Sequence, residues 1–293
     1  MGKTWEGRNH RIMEIKKNPN ATKNVLFMAG IHSREWISPA STLKFINDLL
    51  SDSTYEKYLN EINWYYIPVM NVDGYAYTWS NNRLWRKTRQ VYENENCVGA
   101  DPNRNYPTNA YYLNPEDWYN ANGADNDPCS NTYRGQKPFG EKISENLDNF
   151  LGKLKHEGVI IDAFMDIHSY SELMMYPYGY KSAEAESNTE NLREIAKKMV
   201  DDIQNSDTSI PGGKWEWGSV SETIYPAAGI TVDYLYEQFG VQCSFTPELR
   251  PNADDPDGYG FLLPERYIEP VSIEMTAAYI DLADAVIDGK CRV

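Results

Sequence analysis

The 293-residue sequence has little positive charge, few cysteines and few histidines, and it has no long apolar run. Its 28 Lys and Arg residues are outnumbered by 43 Asp and Glu residues, which leaves a net charge of −15. Because such a chain repels phosphate backbones and anionic lipids, we expect neither nucleic-acid nor membrane binding. No stretch approaches the ~18 apolar residues of a transmembrane helix, and residues 1–12 are too polar for a signal peptide.

The four cysteines, Cys97, Cys129, Cys243 and Cys291, are widely spaced and form no Cys-x-x-Cys pair. This spacing argues against a structural zinc site and against a thioredoxin-type redox motif. Two disulfides in an oxidising compartment would suit an even number of distant cysteines, and four reduced thiols in a cytosolic enzyme are the alternative. The sequon at residues 20–22 is compatible with secretion.

Apolar strands and amphipathic helices alternate along the chain without a repeat, a low-complexity segment or a long linker. The patterns predict strands at residues 12–15, 25–31, 62–70, 159–167, 231–236 and 242–246. They predict helices at residues 39–50, 141–154, 182–206 and from about 265 to 289. Residues 76–140 show little periodicity, which is typical of a functional or cross-linked segment. We expect a single α/β domain, in which helices flank a mixed, mostly parallel twisted sheet.

The same patterns predict which side chains are buried. Ser38 is expected to cap the helix at 39–50. The buried face of this helix would hold Leu43, Ile46 and Leu50. Residues 71–74 are expected to form a turn. For the helix at 182–206 the predicted inner face is Leu192, Ile195, Ala196 and Met199; for the C-terminal helix it is Ile273, Ala277, Ile280, Ala283 and Ile287.

Two of the four histidines end apolar runs, His32 after residues 28–31 and His168 after residues 164–167. Strand ends of open α/β sheets commonly carry ligand groups. One strand-end histidine is more often structural, but two in matching contexts, with Glu35 three residues after His32, favour a metal site. Two imidazoles and a carboxylate are the ligand set of a catalytic zinc ion with an open position. His10 and His156 have polar neighbours and are interpreted as surface residues.

Longer motifs carry a resemblance to a known family. The chain is similar to the zinc metallocarboxypeptidases of the carboxypeptidase A and B type, most of all the apolar-specific A branch, in residues 30–36, 71–75, 84–89, 97–105, 167–170, 176–180, 224–229, 244–250 and 261–264. The resemblance implies a metallocarboxypeptidase-like fold over residues 1–293, with one zinc ion per chain. It implies a secreted, monomeric protease, made as a zymogen, that acts on peptide and protein C termini. A pro-segment or a protein inhibitor would be a further partner.

Carried over residue by residue, the resemblance assigns the catalytic groups. It makes His32, Glu35 and His168 the zinc ligands and Asp101 the acceptor that orients His32. Glu248 becomes the general base of a Glu-assisted zinc-water mechanism, and Arg86 becomes the residue that stabilises the oxyanion.

The resemblance also implies how the substrate is bound. Arg104 with Asn103 would grip the terminal carboxylate, because a guanidinium can donate two parallel hydrogen bonds to it, and Tyr225 would close over the bound end. Such a clamp makes the enzyme an exopeptidase. The remaining contacts implied are Arg34, Tyr170 and Phe261.

The implied specificity pocket is lined by Met175, Gly179, Val220, Ala227, Val232 and Thr246. Val232 stands where basic-specific relatives have an acid at the pocket floor. An apolar floor leaves a buried Lys or Arg charge unpaired, so we expect a preference for large aliphatic or aromatic C-terminal residues. Asp233 is the next residue, and a one-residue shift would give carboxypeptidase B-like removal of Lys or Arg. A catalytically silent zinc-binding homologue is the other alternative, although no ligand or base is missing.

Two features depart from the family pattern. Cys97 and Cys129 match its usual disulfide, whereas a bond between Cys243 and Cys291 would be an addition that ties the C terminus to the strand before Glu248. Family members also carry residues before the segment that matches residues 2–8, together with a signal and an inhibitory pro-segment. We therefore expect a catalytic domain shortened at its N terminus.

Overall fold

The computed structural model describes residues 1–93, 95–108, 114, 116–182, 188–208, 210 and 213–292. Its centre is a seven-stranded sheet of Met13–Ile15 (β3), Lys23–Ala29 (β4), Ile62–Ile67 (β5), Ala163–Ser169 (β6), Leu173–Tyr176 (β7), Glu216–Ser219 (β8) and Cys243–Leu249 (β9). The strand order in the sheet is β3-β5-β4-β6-β9-β7-β8. Gly2–Lys3 (β1) and Asn9–His10 (β2) form a separate hairpin. The four strands β5, β4, β6 and β9 run parallel to one another, and β3 and β7 pair antiparallel to them.

The described helices are Ile37–Ser51 (α1), Glu56–Glu61 (α2), Val72–Ser80 (α3), Glu116–Asn120 (α4), Lys142–His156 (α5), Thr189–Gln204 (α6), Val220–Thr223 (α7), Thr231–Phe239 (α8) and Ile268–Ile287 (α9). Short 3-10 turns lie at Ser53–Tyr55, Pro102–Arg104, Gly260–Leu262 and Glu265–Tyr267. In the described residues no helix is both long and apolar enough to cross a membrane.

Helices cover both faces of the sheet, so the side chains of a strand, which point alternately to opposite sides, are buried on both. In β4, Val25 and Phe27 join a core with α1, α6 and α9, whereas Leu26 and Met28 join a core with α5 and α8. This arrangement confirms the predicted α/β class with a mixed, mostly parallel sheet. The carboxyl ends of β4, β6 and β9 lie side by side, which sets the position of the site described below.

The predicted strand at 231–236 is wrong, because these residues form α8. Their β-branched and aromatic content favours a strand, but Thr231 to Leu235 are buried without alternation, and tertiary packing overrides the local preference. Residues 71–74 are likewise not a simple turn. Asn71 caps α3 by accepting the Gly74 N–H at 3.0 Å.

The buried faces of two helices also differ from prediction. Ser38 lies inside α1, whose buried face holds Phe45, Ile46 and Leu49, while Leu43 and Leu50 are about half exposed. That face includes small polar residues such as Ser41 and Thr42, which bond back to helix carbonyls and therefore conceal the pattern.

The C-terminal helix proper begins at Ile268, and its most deeply buried hydrophobic residues are Val271, Met275, Ala278, Tyr279, Leu282, Ala283 and Val286. Of the predicted face only Ala283 is fully buried, because this helix is apolar nearly all round. The inner face predicted for α6 is confirmed, but residues 183–187 of the predicted helix lie outside the described residues. His10, predicted to be a surface residue, is buried.

Both disulfides are present. Cys97 bonds to Cys129, and Cys243 in β9 bonds to Cys291 beyond α9. The pairing that the sequence left open therefore ties the C terminus to the central sheet.

Candidate active site

Three side chains converge at the carboxyl ends of β4 and β6. The Nδ1 atoms of His32 and His168 lie 3.1 Å apart, and the Glu35 carboxylate reaches them at 2.9 and 3.1 Å. All three residues are buried, and their ligand atoms lie within 4.8 Å of one another. Two imidazole nitrogens this close repel each other unless a proton or a cation lies between them. The donor set therefore fits a metal ion of the zinc type.

Local backbone geometry sets the positions of His32 and His168. Gly30 has a φ of 65°, which bends the chain out of β4 and into the loop that carries His32. The N–H groups of Met70 and Asn71 donate to the Ala29 and Gly30 carbonyls and extend the sheet contact to this point. His168 lies within β6 itself, one residue before its end.

One carboxylate contacts both His32 and an arginine. Asp101 Oδ1 lies 3.0 Å from His32 Nε2, while Oδ2 accepts from Arg86 Nε at 3.0 Å and Nη2 at 2.7 Å. Burial raises the pKa of Asp101, but the nearby Arg86, His32 and Arg104 outweigh burial and hold this pKa well below its usual value. Asp101 therefore lies beside His32, and its role as the acceptor that orients this ring stays a prediction.

Asp166 is a partner of His168 that sequence reasoning missed. Its Oδ2 lies 3.0 Å from His168 Nε2 and accepts from the Thr231 hydroxyl. Residues two apart in a strand share a face, and this spacing is the signal that could have found it. Burial lowers the pKa of His168, but Asp166 and Glu35 raise it well above the ordinary value. Burial also raises the pKa of Glu35, and His32 and His168 outweigh that effect and lower it.

Glu248 in β9 is paired in register with His168 in β6. Among the described residues, its Oε2 is buried and has no hydrogen-bond partner. Burial and the nearby Glu35 carboxylate raise the pKa of Glu248 to about 8. A half-buried carboxylate with an unpaired oxygen readily takes up a proton. Across the site, Arg86 Nη1 lies 3.9 Å from Glu35 Oε1.

A single cavity joins these polar groups to an apolar wall. It is lined by His32, Arg86, Asn103, Arg104, His168, Met175, Val220, Ile224, Tyr225, Ala227, Ile230, Val232, Thr246 and Glu248. Most of the predicted site residues are therefore together. Ile224 and Ile230 were not predicted, because they lie in an irregular segment with no strand or helix pattern. Gly179 lies behind the wall, where an added Cβ would approach the Ala227 carbonyl oxygen to 2.4 Å.

The arginine predicted to bind carboxylate is held rigidly. Arg104 Nε donates to the Gly123 carbonyl at 2.7 Å, and Nη1 donates to the Asn103 carbonyl at 2.6 Å. Asn103 Oδ1 accepts the Thr231 N–H at 2.9 Å. Tyr225 is 46% exposed, and its ring centre lies 5.9 Å from the Arg104 guanidinium carbon.

Three predicted contacts do not line the cavity and form a cluster of their own. The Arg34 guanidinium lies 4.0 Å from the Phe261 ring centre, and the rings of Phe261 and Tyr170 meet edge to face at 4.8 Å. Burial and the positive charge of Arg86 lower the pKa of Arg34.

The residue on the cavity wall is Val232 and not Asp233. The Asp233 carboxylate accepts the Gly179 N–H at 2.9 and 3.1 Å. Burial, with the nearby Glu237, raises the pKa of Asp233 well above its usual value.

Comparison of the chain with known proteins identifies its family. The family model described as zinc carboxypeptidase matches residues 1–278. The chain belongs to the zinc carboxypeptidase family. It is 38% identical over 292 residues to carboxypeptidase B of Canis lupus familiaris and 37% identical over 291 residues to carboxypeptidase A1 of Rattus norvegicus. Each alignment covers 98% of this chain, but only 65% and 64% of those relatives. Overall identity therefore does not distinguish the A type from the B type.

Solved structures agree with this assignment. The fold is similar to bovine thrombin-activatable fibrinolysis inhibitor in complex with tick carboxypeptidase inhibitor, with a TM-score of 0.85, 34% identity, and coverage of 98% of this chain and 89% of the other. It is also similar to carboxypeptidase A from Helicoverpa armigera, with a TM-score of 0.83, 28% identity, and coverage of 98% and 67%.

Proposed function

We propose that this chain is the catalytic domain of a secreted, zinc-dependent exopeptidase that removes large aliphatic or aromatic residues from the C termini of peptides and proteins. The observation that carries this proposal is one cavity lined by two of the three candidate metal ligands, a half-buried carboxylate, a fixed arginine and an apolar wall. The two disulfides support an oxidising compartment.

His32, Glu35 and His168 would hold the zinc ion, and Asp101 and Asp166 would fix the rings of the two histidines. When bound, zinc supplies Lewis-acid activation of water and of the scissile carbonyl. Glu248 would accept the proton of the attacking water and deliver it to the leaving amine. Arg86, held by Asp101, would place positive charge beside the developing oxyanion.

Arg104 supports cleavage at chain ends only. Two of its N–H groups are used on the carbonyls of Gly123 and Asn103, which fixes the plane of the guanidinium at the cavity wall. A guanidinium has five N–H donors, so others remain for a substrate carboxylate. An internal peptide bond offers no such group. We therefore infer that binding requires a free C terminus.

The apolar wall supports the substrate class. Val232, Met175 and Ala227 line the cavity and have side chains without a hydrogen-bonding group, and the Asp233 carboxylate is turned toward the Gly179 backbone. A substrate Lys or Arg would bury its charge without a partner, at a cost of several kcal/mol. Because a similar structure contains a tick carboxypeptidase inhibitor, we include a protein inhibitor of this kind among the expected partners.

A substrate panel tests the proposal. Matched peptides ending in free Leu, Phe, Glu or Arg, and the Phe peptide as its amide, should give much higher kcat/KM for Leu and Phe than for Arg and Glu. The amide should not be cut. Faster removal of Arg would assign the carboxypeptidase B-like activity instead, and cleavage of the amide at a comparable rate would contradict the exopeptidase claim. Zinc binding without turnover on any peptide would favour a silent homologue.

A further inference from the structure

We infer that Ile230 limits the size of the C-terminal side chain, so that the cavity takes branched aliphatic residues in preference to aromatic ones. This inference rests on the proposed exopeptidase function and narrows its substrate class. It concerns a residue for which neither a sequence pattern nor the family motifs suggested a role.

The cavity is small. The space that the centre of a water molecule can reach totals about 30 Å³. At roughly 10–15 Å³ for each water position, this is room for two or three waters. A valine or leucine side chain needs modest further opening, whereas a phenyl or indole ring needs much more.

Ile230 closes one side of this space. It is buried, lines the cavity, and directly precedes α8. Its Cδ1 lies only 2.6 Å from the position that a Cβ at Gly179 would take, so the Ile230 side chain packs directly against the Gly179 backbone. The room that the missing side chain of Gly179 leaves free is therefore filled by Ile230 and is closed to a substrate.

The backbone on both sides of Ile230 is pinned. The Ile230 carbonyl accepts the Tyr234 N–H, and the preceding Gly229 carbonyl accepts the Tyr106 N–H. The Thr231 N–H that follows donates to Asn103 Oδ1 at 2.9 Å. This part of the wall consequently cannot retreat as a unit when a large side chain enters.

The side chains of the wall differ in how far they can yield. Met175 is unbranched and can repack around a ligand. Ile230 is β-branched and stiff at χ1, and its backbone is fixed. A substrate ring can therefore displace Met175 more easily than Ile230, and Ile230 sets the limit.

The test compares kcat/KM of the full chain and of Ile230→Ala on matched peptides ending in Val, Leu, Phe and Trp. The unchanged chain should prefer Val and Leu to Phe and Trp by about tenfold or more, which is the discrimination that a carbon or two in an apolar pocket provides. Ile230→Ala should raise kcat/KM for Phe and Trp about tenfold and change that for Leu by less than about threefold.

Ile195→Ala is the matched control. It removes the same atoms from a buried isoleucine of α6, in the core on the other side of the sheet. It should leave the ratio of Leu to Phe cleavage unchanged. If Ile230→Ala does not fold, Ile230→Val should shift the same ratio in the same direction by a smaller factor.

The inference would be overturned if the unchanged chain gave equal kcat/KM for peptides ending in Leu and Phe, or if a folded Ile230→Ala kept the Leu-to-Phe ratio of the unchanged chain. In both cases the proposed function would stand as long as kcat/KM for Leu and Phe exceeds that for Arg. A preference for Arg, or no cleavage at all, would instead overturn the proposed function.

Discussion

Several side chains of the site are held in place by hydrogen bonds to buried groups. Asp101 contacts both His32 and Arg86, so one buried carboxylate sets the position of a candidate zinc ligand and of the arginine that we propose to face the oxyanion. Arg104 is fixed by two main-chain carbonyls. Such anchoring reduces the entropy lost when substrate binds, because the groups are already in place.

Replacing Arg104 by Lys should lower kcat/KM for a peptide with a free C terminus by about 10- to 100-fold. A charged hydrogen-bonded pair contributes about 1.5–3 kcal/mol, and a lysine cannot make the two parallel hydrogen bonds of a guanidinium. The loss should fall mainly on KM, and steady-state kinetics on the free acid and its amide would measure it.

Arg134→Lys is the control for this change. Arg134 is a buried arginine that donates to the carbonyls of Trp118, Ala121 and Ala124 and does not line the cavity. It should lower stability but leave the discrimination between acid and amide intact. If Arg104→Lys retained full kcat/KM, the carboxylate clamp would be wrong.

Among single residues of the site, the sequence predicted the two histidines at strand ends, because a histidine at the end of an apolar run can be recognised without a structure. Asp166 was hidden inside such a run, where a charged residue has no local explanation. Ile230 was missed because its role depends on a contact with Gly179, which lies 51 positions away in the chain.

Among the helices, α5 begins beside a buried acid. Glu141 is its N-cap residue, but the carboxylate turns away and accepts hydrogen bonds from Thr88 and Tyr92. Burial raises the pKa of Glu141 to about 8. The start of α5 is therefore linked by hydrogen bonds to Thr88 and Tyr92 in the irregular segment before it.

This coupling predicts a pH dependence of stability. Between about pH 4.5 and 8 the folded chain keeps a proton on Glu141 that the unfolded chain loses. The unfolded state then binds fewer protons, so the free energy of unfolding falls as pH rises, by at most about 5 kcal/mol from this group. Glu141→Gln should lose less stability over this range, as measured by urea unfolding at pH 5, 6.5 and 8.

Glu145→Gln, on the same helix but exposed, is the matched control and should follow the unchanged chain. Equal pH profiles for Glu141→Gln and the unchanged chain would show that the Glu141 carboxyl titrates normally.

Strands and helices could be predicted from the sequence where a pattern of apolar residues extends over many positions. The strands around residues 25–31 and 159–167 and the helix α6 follow their patterns because one face or both faces are buried. The helix α8 was not, since five buried residues in a row can form a strand or a helix, and only the surrounding packing decides.

The whole molecule is cross-linked between its C terminus and its central sheet. The bond between Cys243 and Cys291 closes a loop of 48 residues. It joins β9, which carries Glu248, to the residues that follow α9. A loop of this length gives about 4 kcal/mol of stabilisation by the chain-entropy model.

Cys243→Ala with Cys291→Ala should therefore lower the free energy of unfolding by about 2–4 kcal/mol. Alanine avoids an unpaired buried hydroxyl. Chemical unfolding followed by tryptophan fluorescence would measure the loss. An unchanged midpoint with an unchanged slope would mean that this bond does not stabilise the domain.

The most direct test of the whole account is zinc titration of the metal-stripped chain, followed by hydrolysis of a peptide ending in free Leu. Activity should be absent without metal and rise linearly to one zinc per chain. His168→Ala should neither bind zinc tightly nor turn over, and Glu248→Gln should bind one zinc with kcat at least about 100-fold lower. Full activity in the metal-free chain, or in Glu248→Gln, would contradict the account.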